Sequence, residues 1–171
     1  MEREPHRLRP YRGDDVTGFV RLLGDPDVMR YVGDGTPLAA QDATALFARG
    51  LEVVANDPAF HIWAIEIGGA YAGHAELKRR RGKDEHEIIY YLAQPYWGRG
   101  HAKRVAAEVV AFGFESCGLP HIIATVDEAN AASRHIVESL GFREEARISR
   151  EYSPIGYLLG AATYRARQRP E

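Results

Sequence analysis

Ile88-Ile-Tyr-Tyr-Leu92 runs almost directly into Gln94-Pro-Tyr-Trp-Gly-Arg-Gly-His-Ala-Lys103, so an apolar strand ends in a glycine-rich turn and the turn opens an amphipathic helix. Gly98 and Gly100 have no Cβ, which lets the loop take positive φ and bring its N–H groups close to an anion. The first turn of the helix adds unpaired N–H groups and the positive end of the helix dipole. The spacing is not that of the P-loop, which needs Lys-Ser/Thr after its last Gly. It is not the dinucleotide fingerprint either, which needs a third small residue where Lys103 stands. Arg104 follows, so no hydroxyl is offered to magnesium. The turn is expected to hold a diphosphate without metal.

On the N-terminal side, His86 to Leu92 is preceded by two further strand patterns. Phe60 to Ile67 alternates, Gly68-Gly69 makes a hairpin turn, and Tyr71 to Lys78 returns. Together they form an antiparallel meander. Further upstream, Arg7 to Tyr11 reads as a first strand and Asp14 and Asp15 as caps for a helix carrying Val16, Phe19, Val20 and Leu23. A turn at Asp25-Pro-Asp27 nucleates a short helix through Tyr31, a loop spans Gly33 to Pro37, and a longer helix covers Ala39 to Ala55.

On the C-terminal side, Ala102, Val105, Ala106, Val109, Val110 and Gly113 recur at helical spacing up to Gly118. His121 to Val126 reads as a buried strand parallel to the Ile88 strand, completing a right-handed βαβ unit. Asn130 to Leu140 is a short helix ended by Gly141, and Phe142 to Tyr152 with Tyr157 to Arg165 is expected to form a last hairpin.

The 171 residues, 45% of them hydrophobic, suit one domain spanning 1–171 with a real core. A balance of 22 basic against 24 acidic residues gives no global attraction to nucleic acid or an acidic membrane. The basic run Lys78 to Lys83 reads as a hairpin tip, because Asp84, Glu85 and Glu87 follow at once and no aromatics are interleaved for single-strand binding. A single cysteine, Cys117, forms no internal disulfide and is expected as a packed thiol. With no signal-peptide pattern at the N-terminus and no run of 18 apolar residues, the expected setting is cytoplasmic.

Five blocks in order carry a resemblance: Leu8-Arg-Pro-Tyr11, Asp25-Pro-Asp-Val-Met-Arg-Tyr31, Glu87-Ile-Ile-Tyr-Tyr-Leu92, Tyr96-Trp-Gly-Arg-Gly-His-Ala102, and Asn130-Ala-Ala-Ser-Arg134 with Leu140-Gly-Phe142. Over nearly its whole length the chain resembles the GNAT superfamily of N-acetyltransferases, and within it the ribosomal-protein N-acetyltransferases of the RimJ/RimL type. The Trp at position 97, where the wider superfamily has Gln or Arg, resembles this branch. The resemblance implies an α/β (α+β) GNAT-like acyl-CoA N-acyltransferase fold, a mixed, mostly antiparallel sheet of about seven strands flanked by about four helices. It implies acetyl-CoA as cosubstrate and no metal. Pantetheine would pair with backbone around Tyr91 and Leu92 as an added pseudo-strand. Gly98, Arg99, Gly100, His101, Ala102 and Lys103 would hold the pyrophosphate, with Lys103 or Arg104 adding charge, and Asn130 would bind the pantetheine arm or cap its helix.

Attack of a neutral amine on a thioester needs a proton acceptor and help for the departing thiolate. Glu87 matches the acidic position many family members use; a cross-strand ion pair with Arg79 or Arg80 is its bland alternative. Glu76 is the second candidate, with His74 on the same strand face as a relay or as an ordinary core histidine. Many members place Tyr where Val137 stands here, so Ser133 is the expected substitute at the thiolate, or else part of the helix cap with Asn130. The acceptor site is expected from the Gly33 to Leu38 loop, Trp63 and the Tyr152 to Tyr157 hairpin, although Trp63 equally suits a core. At pH 7 an α-amine is neutral in roughly one molecule in five to ten and a lysine in roughly one in 2,500, which favours a protein N-terminus as acceptor. Related members acetylate aminoglycosides, polyamines and other small amines, a homodimer is left open, and a non-catalytic acyl-CoA-binding sensor is the reading from a different class.

Overall fold

The computed structural model describes residues 4–80, 82–146, 148 and 155–168. A seven-stranded sheet runs in the order β1-β2-β3-β4-β5-β7-β6. Its strands are β1 (His6–Arg9), β2 (Phe60–Ile67), β3 (Ala70–Arg79), β4 (His86–Leu92), β5 (His121–Val126), β6 (Arg143–Glu144) and β7 (Ile155–Gly160). Every neighbouring pair is antiparallel except β4 and β5. The α4 crossover makes that one pair parallel, as the strand-helix-strand pattern requires. Among the described residues the α-helices are α1 (Val16–Leu23), α2 (Pro26–Met29), α3 (Ala40–Asn56), α4 (His101–Ala111), α5 (Ala131–Ser139) and α6 (Ala161–Gln168).

Alternation along the strands divides the apolar residues between two layers. Ile88 and Leu92 of β4 join the larger core with Ile65, Leu77, Ile122, Val105, Val109 and Val137. Tyr91, one residue out of phase, packs with Tyr71 against the second cluster, made by Phe19 and Leu23 of α1, Met29 of α2, and Ala43 and Phe47 of α3. The N-terminal segment is locked by a buried ion pair: Arg9 Nη1 and Nη2 donate to Asp15 Oδ2 and Oδ1 at 2.7 and 2.8 Å, and Arg9 Nε donates to Glu66 at 2.7 Å. Asp15 thus ties β1 to the turn before α1, besides accepting the Arg12 N–H at 2.7 Å.

The last hairpin departs from the sequence reading. β7 ends at Gly160 and the chain turns into α6, where Ala161, Ala162, Arg165, Ala166, Arg167 and Gln168 are all good helix formers. Among the described residues its partner strand is Arg143–Glu144, and much of the expected stretch up to Tyr152 lies outside them.

β3 and β4 pair without interruption from Gly73↔Leu92 to Arg79↔His86. Gly73 is needed there, because a Cβ would fall on the Tyr91 carbonyl oxygen and within 3.1 Å of Leu92 Cα. Gly73→Ala should therefore lower stability by about 1–3 kcal/mol in urea unfolding, the usual penalty of overpacking against backbone that has no room to yield. A melt within 1 °C of the parent would contradict this close approach.

Candidate active site

β4 and β5 share only two register pairs, His86↔Ile122 and Glu87↔Ile123, and then part. Each is held on its far side instead, β4 by β3 over seven pairs and β5 by β7 over six. The result is a wedge open toward the glycine loop. Glu87 sits at its vertex, 2% exposed, and accepts a 2.6 Å hydrogen bond from Thr125 Oγ1 on the diverging strand. Across the β3–β4 ladder Glu87 stands opposite Lys78, and Arg80, the alternative partner, meets Glu85 at 3.3 Å. Thr125 was not singled out from sequence, since the contact spans 38 residues.

Glu76 is differently placed. It accepts from His74 Nε2 at 2.8 Å and meets Lys78 Nζ at 2.6 Å. Tyr11 Oη lies 2.7 Å from His74 Nδ1 and 3.2 Å from Tyr71 Oη. With Nε2 set against the Glu76 carboxylate, Nδ1 meets the Tyr11 hydroxyl and Tyr11 in turn meets Tyr71, so the four side chains form one hydrogen-bonded row. Burial alone would raise this carboxyl; the His74 hydrogen bond and charge, then Lys78, outweigh it and bring it down to about 2. A carboxylate so stabilised is a poor proton acceptor.

The glycine loop has the geometry expected of it. Gly98 and Gly100 lie at φ 71° and 77°, and a Cβ on either would meet open space rather than protein. Gly100 is the N-cap of α4 and no side chain caps that helix, so the anion-facing end is left to backbone N–H groups. Arg99 and Lys103 are exposed at this rim. The side chain of His101 is not: it is 2% exposed, lies edge-on to Tyr96, and its Nδ1 is 2.6 Å from Arg104 Nη2. Only the backbone of His101 can serve an anion. Arg104 also donates to the Glu4 carbonyl at 3.1 Å, so it braces the N-terminal segment. A contact missed from sequence fixes the loop to the strand: Trp97 Nε1 donates to the Leu92 carbonyl at 2.6 Å while the ring stays 45% exposed.

Asn130 caps α5, its Oδ1 accepting the Ser133 N–H at 3.0 Å, as its capping alternative foresaw. Val137, at the usual tyrosine position, is buried in the core. Ser133 Oγ instead lies 3.0 Å from Tyr90 Oη across the wedge. Trp63 is partly buried against the larger core, where it stacks on His61 and meets Phe112 edge-on at 5.1 Å. Nor is Cys117 a packed thiol, because it is exposed, with Sγ 3.7 Å from His61 Nε2. Among the described residues no group of three or more His, Cys, Asp or Glu is arranged to hold a metal, and no helix is long and apolar enough to cross a membrane.

A family model described as the acetyltransferase (GNAT) domain matches residues 6–143. The chain belongs to the GNAT acetyltransferases. Among curated proteins it is similar to the FsC-acetyl coenzyme A-N(2)-transacetylase of Aspergillus fumigatus, at 26% identity over 85% of this chain and 66% of that protein, slightly under two thirds of its length. It is also similar to the spermidine N(1)-acetyltransferase of Escherichia coli, at 27% identity over 85% of this chain and 77% of that protein. Among solved structures, Mycobacterium smegmatis RimJ in complex with CoA-disulfide superposes with a TM-score of 0.74 at 22% identity, covering 92% of this chain and 82% of that one. This likeness bears out the mixed, mostly antiparallel GNAT sheet with its flanking helices.

The Glu76 array makes a test of its own. Its folded pKa lies below the ordinary value of 4.5, so its contribution is complete above about pH 4.5 and is lost as pH falls toward 2. The unfolding free energies of the parent and Glu76→Gln should differ by about 2–3 kcal/mol from pH 7 to pH 5 and converge between pH 4.5 and 2. A gap that persists unchanged at pH 2.5 would contradict an ionised Glu76.

Proposed function

We propose that this GNAT protein transfers the acetyl group of acetyl-CoA to a primary amine by direct attack on the thioester, with no metal. The reading is carried by the wedge between β4 and β5, which has a buried carboxylate at its vertex and a cradle of backbone N–H groups at its mouth. Acetyl-CoA supplies an activated acyl group whose thiol, with a pKa of about 8.5, is a tolerable leaving group near neutral pH. The parted edge of β4 about Tyr91 and Leu92 is suited to take the pantetheine amides as an added strand. The 98–103 turn holds the diphosphate through backbone N–H groups, Arg99 and Lys103 add positive charge, and Asn130 keeps α5 in place beside the arm. Glu87 accepts the proton of the attacking amine, its carboxylate steadied by Thr125. Ser133 faces the departing sulfur.

The acceptor favoured by amine acidity is a protein N-terminus, whose amine is neutral in roughly one molecule in five to ten at pH 7. A small-molecule amine is the second reading, supported by the curated relative that is named for spermidine. A non-catalytic acyl-CoA sensor would have no use for a desolvated carboxylate at the vertex. The whole chain acts as a single GNAT domain in the cytoplasm, where an exposed lone Cys117 stays reduced.

Two variants test these assignments separately. Gly100→Val places a branched side chain at φ 77° and at the mouth of the cradle, so calorimetry should show acetyl-CoA affinity falling at least tenfold in a folded protein. Unchanged affinity would move the cradle elsewhere. Glu87→Gln keeps size and the Thr125 contact but cannot accept a proton, and should lower kcat by roughly 10²–10⁴ with cofactor affinity little altered. A loss under threefold would return Glu87 to a structural role.

A further inference from the structure

Tyr90 lies in the parted segment of β4, packed against the larger core beneath the sheet, and its hydroxyl reaches Ser133 Oγ at 3.0 Å. The direction of that hydrogen bond decides what Ser133 can do. A phenol is a far stronger acid than an aliphatic alcohol, so it is the better donor, and the lower-energy arrangement has Tyr90 O–H pointing to Ser133 Oγ. The serine hydrogen is then released from Tyr90 and can rotate toward the wedge. In the reverse arrangement Ser133 would give its one hydrogen to Tyr90 and would have none for a thiolate.

We infer that Tyr90 is a positioning residue of the acetyl-transfer site, donating to Ser133 Oγ so that the Ser133 O–H is aimed at the sulfur that departs. The inference rests on the proposed acetyl transfer from a CoA thioester. In that reaction the amine nitrogen forms a bond to the acyl carbon and the carbon–sulfur bond breaks, with the electron pair leaving on sulfur. The amine's surplus proton goes to Glu87, which passes it on to solvent, and the thiolate is held by the Ser133 O–H until it takes a proton back from solvent, so that CoA leaves as the thiol and Glu87 is again ionised. Tyr90 keeps its own proton throughout. Burial pushes its hydroxyl up to about 12 against the smaller, lowering effect of Ser133, several units above a leaving thiol near 8.5. The pair therefore acts by hydrogen bonding and not by proton transfer. It also explains why Val137 can stand where relatives carry tyrosine: the phenol is supplied from β4, one step behind a serine, rather than from α5.

Tyr90→Phe, Ser133→Ala and the double variant should be compared on acetyl thioesters of pantetheine-like thiols that span a range of acidity. With the least acidic thiols, Tyr90→Phe should lower kcat about 3–10-fold, the worth of one hydrogen bond, with the amine KM within twofold. The loss should fade as the thiol becomes more acidic, and the double variant should be no slower than Ser133→Ala alone. Losses that are equal for all thioesters, or that add in the double variant, would overturn the inference. Should Tyr90→Phe prove unfolded by its melt, a fluorinated tyrosine at position 90 keeps the ring and strengthens the donor. It should preserve or raise the rate with poor leaving thiols, and a fall there would equally overturn the role. Wild-type protein that releases no thiol with any amine would remove the parent reading and this inference with it, whereas normal wild-type turnover without the thiol dependence removes the inference alone.

Discussion

Beyond Glu87 and Ile123 the two central strands part, while each stays held on its outer edge by a full antiparallel ladder, β4 to β3 and β5 to β7. A strand at full pairing on one side keeps its straight, twisted course without help from the other. The space that opens between them is bounded by rigid backbone on both walls. That rigidity is what an acyl-transfer site needs, since small misplacements of reacting groups are costly. Gly73 contributes from a distance, letting β3 approach Tyr91 and Leu92 closely enough to hold β4 to its last residue.

The wedge also sets the chemistry of the groups around it. Glu87 is buried at the vertex and accepts a hydrogen bond from the neutral hydroxyl of Thr125. Glu76, two strands' width from β5, is drawn into an ion-paired array that runs back through His74 and Tyr11 to Tyr71. The two carboxylates thus have different surroundings, Glu76 set between His74 and Lys78 and Glu87 at the vertex beside Thr125.

The strands at 60–67, 86–92 and 121–126 were legible to the residue because their alternation or continuous apolar character ends in strong turn signals. The glycine turn was legible because positive φ at Gly98 and Gly100 is a backbone demand that few other residues meet. The C-terminal hairpin was not, since Tyr157-Leu-Leu suggests strand while the following Ala- and Arg-rich segment forms a helix, a change that no Gly-Pro punctuation announces apart from Gly160. Thr125 and Tyr90 were invisible as partners because their hydrogen bonds join residues 38 and 43 apart, across the strand divergence itself. Trp63 and Cys117 show the same limit from the other side. Their side chains could be placed only once Phe112 and His61 were seen to converge under the end of α4.

The most direct measurement is amine-dependent thiol release from acetyl-CoA, followed in real time across N-terminal peptides, aminoglycosides and polyamines. The account predicts release that saturates with at least one primary amine, yields the N-acetyl product in equal amount, and rises with pH as the acceptor loses its proton. Tight acetyl-CoA binding with no amine-dependent release across the panel would contradict it and make the wedge a sensor.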